Sequence, residues 1–202
     1  AAVDVVKDSF ELRLVSANEQ RLRWLAGVFY SRDDLDVAIG DFVPGFGEFA
    51  GEDRPDDMDY LSTQAETLDE YSVYGEVSYD ITPRWEATVG LRHFRYDDKL
   101  NVCYEIYPSD PYCEFGDDTV KDSLGKFSTR YKLTEQQSVY FTVAEGYRRG
   151  GANVLPEDTL ARRTYAPDTA VNYEVGYRGS LMQDRITFNA AIFNTVWDNL
   201  QI

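Results

Sequence analysis

YSVYGEVSYDITPRWEATVGLRHFRY, residues 71–96, decides how the rest of the chain is read. Tyr71, Val73, Val77 and Tyr79 fall on one side of an extended backbone and Ser72, Glu76 and Ser78 on the other, the two-residue period of a half-buried strand. Residues 80–84, with Thr82 and Pro83, suit a turn and not a ladder, and beyond them Ala87, Val89 and Leu91 alternate with Glu86, Thr88 and Arg92. The stretch predicts a hairpin whose arms each run about 10 to 12 residues, roughly double an ordinary soluble strand. At ~3.4 Å per residue and a tilt near 45°, such an arm crosses about 25 Å, the height of an outer-membrane hydrocarbon band.

The same alternation continues outward from this hairpin. Toward the N-terminus, Leu22, Trp24, Ala26, Val28 and Tyr30 share one face, and Phe10, Leu12 and Leu14 alternate with Glu11 and Arg13 across the turn-prone SANEQ. Toward the C-terminus, Phe127, Thr129, Tyr131 and Leu133 match Val139, Phe141 and Val143 across residues 134–137. Val171, Tyr173, Val175 and Tyr177 then alternate with Asn172, Glu174 and Arg178, and RITFNAAIFNTVWDNLQI follows a turn at residues 181–184.

Between the pairs lie stretches without period, at about 33–69, 97–122 and 149–168, which are expected to be long loops. Connectors therefore alternate short and long from end to end. In an antiparallel meander this gathers tight turns at one rim and long loops at the other, the asymmetry of bacterial outer-membrane barrels. The fold expected is all-β: an antiparallel up-and-down meander of about eight long strands, part of a transmembrane β-barrel. Two rivals stay open. One is a self-contained small outer-membrane barrel with a structural or adhesive role, and the other a soluble β-sandwich binding carbohydrate or protein through its loops.

Composition is consistent with a barrel. The 202 residues are 43% hydrophobic, with mean hydropathy −0.46, and hold no apolar run near the ~18 residues of a membrane helix. Fifteen Tyr, 11 Phe and 3 Trp suit strands and interfacial girdles. A net charge of −16 argues against a nucleic-acid partner. AAVDVVKDSF lacks the basic segment and apolar core of a secretory leader, so export would need an address upstream, and the chain is expected to be a section of a longer polypeptide.

FELRLVS with RLRWLAGVFY, the hairpin VYGEVSYDITPRWEATVGLRH, and the series AEGYRRGGAN, NYEVGYRG and RITFNAAIFNTVWDNLQI resemble, in this order, the β-barrel of TonB-dependent outer-membrane receptors. The likeness covers nearly all the expected strands and no long loop. It implies one domain, residues 1–202, forming part of a barrel of about 22 strands around a plug. It also implies energy-coupled uptake of a ferric siderophore or a similar scarce nutrient across the outer membrane of a Gram-negative bacterium. The plug and TonB would then be partners through parts not found in this sequence. Many relatives carry Pro at the position of Arg149 in GYRRGG, and the Phe-Arg-Ala-Pro and Asn-Pro-Asn-Leu boxes of haem receptors are absent.

On this reading Ser72, Glu76, Ser78, Thr88, Arg92, Asn172 and Glu174 face a lumen and a plug, while Val73, Val77, Val89, Leu91, Phe141, Val143 and Val175 face lipid. Tyr71, Tyr79, Trp85, Tyr96, Tyr131 and Tyr147 are placed at the membrane interfaces.

Cys103 and Cys113 share one expected outer loop, where a disulfide is worth ~2.8 kcal/mol in the chain-entropy model; free thiols or soft metal ligands are the alternative. Arg148, Arg149, Arg162 and Arg163 flank the third loop and are candidates for holding an anionic ferric chelate, or equally lipopolysaccharide phosphates or acidic neighbours. His93, the single histidine, lies in the apolar-side register without a ligand cluster. The acids Asp53, Asp56, Asp57 and Asp59 lack the spacing of a calcium loop and read as solvated; a divalent ion bridging them to lipopolysaccharide is the other reading. No catalytic signature, metal set or cofactor-binding motif occurs, so no enzymatic role and no cofactor is expected.

Overall fold

The computed structural model describes residues 1–17, 20–51, 57–106, 109–152, 164–165, 167–182 and 185–200. Its strands are β1 (Ala2–Val15), β2 (Leu22–Phe42), β3 (Met58–Thr82), β4 (Trp85–Ile106), β5 (Tyr112–Lys132), β6 (Gln137–Arg148), β7 (Gly151–Ala152), β8 (Thr164–Tyr165), β9 (Asp168–Leu181) and β10 (Ile186–Asp198). A short helix, α1 (Phe46–Ala50), lies between β2 and β3.

Eight strands form one antiparallel sheet in the order β1-β2-β3-β4-β5-β6-β9-β10, and β7 pairs with β8 apart from it. β1 and β10 are opposite edges and do not pair with each other, so this section does not close alone. No second layer covers the sheet among the described residues. Both rivals left open by the sequence, a closed eight-stranded barrel and a two-layer sandwich, disagree with this arrangement.

Register follows from the alternation. Val77 opposes Val89, Val73 opposes His93 and Val28 opposes Val73, so apolar positions line up across strands on one face. That face is bare: Val73 is 54% exposed, Val89 59%, Leu91 60% and Val175 57%. The other face is concave and, on the central strands, the more buried one, and it holds Ser72, Thr88, Phe94 and Tyr96. Tyr71, Tyr79, Trp85 and Tyr131 are outward and exposed, as an interfacial girdle requires. Tyr96 and Tyr147 are not. Tyr96 is fully buried on the concave side, because in β4 the odd positions of Val89 and Leu91 point outward and the even ones inward.

The long loops expected at 33–69 and 97–122 are corrected by the structure. β2 continues to Phe42 and β3 begins at Met58, while β4 continues to Ile106 and β5 begins at Tyr112. The connections are 43–57 and 107–111. In these upper strand halves the apolar side is the inward one, with Leu68, Tyr96, Leu100 and Val102 buried, while Arg32, Asp34, Asp36, Asp97 and Lys99 stand outward. The ladder continues on backbone hydrogen bonds through this change of side, which ends the outward apolar period of the lower halves. β3, with 25 residues, is about 80 Å along its axis, far more than the hydrocarbon band. The apolar outward segments end near Tyr30, Tyr71 and His93, and what lies above them stands outside the spanning part. Within the third expected loop the structure places the two-residue ladder of β7 and β8.

Connection 43–57 is clasped by one side chain. Asp57 accepts the backbone N–H of Gly45 and of Gly47, both at 3.0 Å, and its carbonyl accepts from Val43 at 2.9 Å. Gly45 and Gly51, which flank α1, have φ of 84° and 69°, a left-handed backbone that a residue without Cβ adopts freely.

Candidate functional site

The concave face is the candidate site, since alternate residues of every strand converge there. Near the tight turns, Arg23 bridges Asp80 at 2.7 Å and Glu86 at 2.6 Å, and Arg130 joins Glu86 at 3.2 Å. At mid-height Lys126 meets Glu76 at 2.7 Å, Arg92 meets Glu70 at 2.6 Å and Arg13 meets Glu11 at 2.9 Å. Hydroxyls complete the wall: Tyr74 donates to Glu11, Tyr140 donates to Glu174 at 2.5 Å, and the pairs Ser78–Thr88 and Ser128–Thr142 lie at 2.8 and 3.0 Å. A depression of about 570 Å³ opens here, bounded by Glu11, Arg13, Tyr74, Glu76, Arg92 and Lys126. This wall is wet and charge-compensated, a surface fit to hold a polar occupant without stranding carboxylates.

Two glycines permit this packing. The Tyr74 ring lies flat on Gly27 of the neighbouring strand, and Tyr140 lies on Gly176; a Cβ at either glycine would enter the ring. Arg13 and Arg178 stack over these same rings, at 5.9 and 4.6 Å from the centroids.

Above mid-height the wall divides. The β5–β6 ladder ends at Lys126–Ala144, yet β5 continues beside β4 and β6 continues beside β9. Glu145 caps the break by accepting the Gly125 N–H at 2.6 Å. The freed end of β6 leans over the concave face, so that Tyr147 stacks on Phe94 at 4.0 Å and lies 6.4 Å from Tyr96, with Leu68, Val120 and Leu124 around them. The buried Gly150 N–H donates to the Tyr96 hydroxyl at 3.0 Å. This aromatic latch was not foreseen from sequence. Its signal was the parity of β4, which already turned Tyr96 inward.

Higher still, Asp98 opposes Asp118 across β4 and β5. Burial, and then the nearby Glu66, push the Asp98 carboxyl up to about 6 against the opposing pull of Arg149. At the tip Tyr60, Tyr104 and Tyr112 form a ladder with centroids 6.4 and 5.2 Å apart.

The sequence-derived candidates fall as follows. Cys103 and Cys113 are register partners joined by a disulfide, on adjacent strands and not in a loop. Arg148 opposes Asp168 and donates to it from Nε at 2.9 Å, with its guanidinium 5.9 Å from the Trp197 ring. Arg149 is exposed and within electrostatic reach of Asp98. Arg162 and Arg163 lie outside the described residues, as do Asp53 and Asp56. His93 points outward, its Nδ1 2.9 Å from the Ser123 hydroxyl. Among the described residues no group of three His, Cys, Asp or Glu could hold a metal ion.

Comparisons with known proteins agree with this geometry. The family model "TonB dependent receptor-like, beta-barrel" matches residues 5–202. The pesticin receptor of Yersinia pestis is 31% identical over 149 residues, which are 72% of this chain and 21% of the receptor. The pesticin receptor of Yersinia enterocolitica is 30% identical over the same length. Among solved structures, the ferric yersiniabactin uptake receptor FyuA from Yersinia pestis aligns with a TM-score of 0.84 and 21% identity, covering 99% of this chain and 30% of that one. The ferric-catecholate import receptor Fiu of E. coli K12, closed form, aligns at 0.70 with 16% identity over 96% of this chain and 31% of that one. The chain thus spans about a fifth of the length of the curated relatives it matches. With an open antiparallel meander, one bare apolar face, one wet concave face and a family match over nearly its whole length, this chain belongs to the TonB-dependent receptor β-barrel family.

Proposed function

We propose that this chain is a section of the wall of an outer-membrane receptor in a Gram-negative bacterium, one that takes up a ferric siderophore or similar scarce nutrient with energy passed through TonB. The observation that carries the reading is the two-sidedness of a single uncovered sheet. Val73, Val77, Val89 and Leu91 are bare on one face, while ion pairs and hydroxyl pairs fill the other. In lipid every backbone polar group must be satisfied within the protein, so a sheet of this kind spans only as part of a closed cylinder. The names of the relatives support a receptor, and those of the structural neighbours support a ferric-chelate cargo.

The family is one of transport receptors, not of enzymes. In this reading the plug rests against the ion-paired mid-height wall, and TonB engages the receptor through parts outside this chain. Arg148 and Arg149, with Arg162 and Arg163 on the same connection, draw an anionic ferric chelate toward the mouth. The Cys103–Cys113 disulfide ties the tips of β4 and β5 where ligand arrives. The outward face meets outer-membrane lipid and lipopolysaccharide. Cofactors and nucleic acid have no part in it.

Uptake of radiolabelled ferric chelates by iron-starved cells tests this. Deleting the complete gene should abolish accumulation from one chelate class, restoring it should return accumulation, and loss of TonB should mimic the deletion. Unchanged uptake across catecholate, hydroxamate and phenolate chelates would overturn the reading.

A further inference from the structure

Above the stack of Phe94, Tyr96 and Tyr147, the concave side of β3, β4 and β5 changes character. At mid-height each lumenal acid meets a cation, Glu76 with Lys126 and Glu70 with Arg92. Higher up, register sets Asp98 beside Asp118, Glu66 beside Leu100, and Val102 beside Glu114. From Glu66 to the tip of β3, and from the Asp98–Asp118 row to the tips of β4 and β5, these inward positions carry Glu66, Asp98, Glu114 and Asp118 but no lysine or arginine.

Asp98 is the centre of this tier. It is 7% exposed, and its Oδ1 is buried without a hydrogen-bond donor, as is Oε1 of Glu114. Glu66 and Asp118 add like charge to it, and Arg149, just past the end of β6, is the cation whose field reaches it. A bare carboxylate in such a place is costly until a donor meets it. The ground between the acids is apolar, since Leu100 and Val102 are buried there. Aromatic rings bound both ends, Tyr104 and Tyr112 with centroids 5.2 Å apart above, Tyr96 and Tyr147 below. Tyr112 and Glu114 are not buried, so the tier opens toward the tip.

Among the described residues no three acids are placed to hold a metal ion. An anion would meet like charge here, and an apolar molecule would leave the carboxylates bare. An organic cation with N–H donors on an apolar stem suits the acids, the ground between them and the rings at either end. We infer that this upper tier binds a primary ammonium or guanidinium group, its donors directed to Asp98 and Asp118 and its stem along Leu100 and Val102. As the seat of a cationic arm of the cargo, the site rests on the uptake reading above. Such a cargo has two poles, a chelate drawn by Arg149 and an arm held here.

The complete receptor, purified in detergent, provides the test. It is titrated with a dansyl amide whose pentyl stem ends in a primary ammonium, and with the same probe N-acetylated, and fluorescence anisotropy reads both affinities. The ammonium form should bind wild type about tenfold more tightly, the scale of one hydrogen bond to a charged group. D98N/D118N should bring the two forms level, while Asp36→Asn, on the outward side, should leave the preference unchanged. Asp98→Asn removes a buried charge at nearly constant size, so the double variant is expected to fold, and matching mobility on heat-shift gels checks it. Because the Asp98 carboxyl is pushed up to about 6, the wild-type preference should also fall as acid protonates it. Equal affinity for the two forms in wild type, or a preference kept by the folded double variant, overturns the site. A preference for the ammonium form, with chelate uptake unchanged on gene deletion, keeps the site and removes the uptake reading; abolished uptake without the preference does the reverse.

Discussion

Gly27 and Gly176 show what single residues contribute. Each is flat ground on which a tyrosine of the next strand lies, and each ring sends its hydroxyl to a lumenal glutamate. Gly176→Val should lift Tyr140 off the sheet and break its bond to Glu174. The expected loss is about 1–3 kcal/mol, the usual cost of overpacking, read as a lower urea midpoint for the refolded receptor. Asp98 and Asp57 respond to pH with opposite signs. The Asp98 carboxyl is raised to about 6, so its protonated form is favoured by folding; its contribution is fully present below the unfolded value of 3.8 and is lost as pH rises through 6. Asp98→Asn should therefore remove the weakening of the upper wall between pH 4 and 6, measured as protease resistance of the tip. Asp57 is held below its ordinary value by the Gly45 and Gly47 N–H groups, so its clasp is present above pH 3.8 and released as pH falls through its lowered value. Acid should expose connection 43–57 to cleavage in wild type, and Asp57→Ala should expose it at neutral pH. At this scale the sequence was partly legible. The lumenal identities of Ser72, Glu76, Thr88 and Arg92 followed from parity. Tyr96 departs from the expected interfacial position because the parity of β4 turns it inward, whatever its aromatic character suits.

At the scale of the strand, the outward segments from Trp85 to Leu91 and from Tyr71 to Tyr79 set how a substitution is felt. Leu91→Arg places a charge in the lipid-facing band and should cost about 2–4 kcal/mol, seen as a reduced folded fraction on heat-shift gels, whereas Lys99→Arg, above the band, should be neutral within ~0.5 kcal/mol. The end of β6 offers a second test. Tyr96→Phe removes only the bond from Gly150, worth about 0.5–1.5 kcal/mol, while Tyr147→Ala removes the stack on Phe94 as well. Cleavage within connection 149–167 should quicken slightly in the first variant and strongly in the second. Alternation of apolar and polar residues made the spanning halves readable. In the halves above them the alternation is present but reversed, with Leu100 and Val102 buried inward and Arg32, Asp34, Asp97 and Lys99 outward, so it does not extend the outward apolar stripe. Nor could it show β6 parting from β5, a long-range choice settled by where Tyr147 finds its aromatic neighbours.

Across the whole molecule, the two open edges dominate behaviour. β1 and β10 are edge strands of 14 and 13 residues with one side of the backbone unpaired, and nothing among the described residues covers them. The 202-residue chain expressed alone should aggregate or remain unfolded in detergent, and light scattering beside the complete receptor would show it; a monodisperse, cooperatively unfolding monomer in plain buffer would contradict the wall assignment. The meander was legible because its alternation is repeated in every strand, whereas the packing of Tyr147 on Phe94 depends on single contacts.

The height of β3 has a final consequence. From Tyr71 to Met58 the sheet climbs roughly 30 Å past the last lipid-facing ring, allowing for tilt. In the function proposed above, such a palisade lifts its rim well clear of the bilayer, so a protease too large to enter the concave side still reaches the tips of β3 and β4 while the lower halves stay shielded.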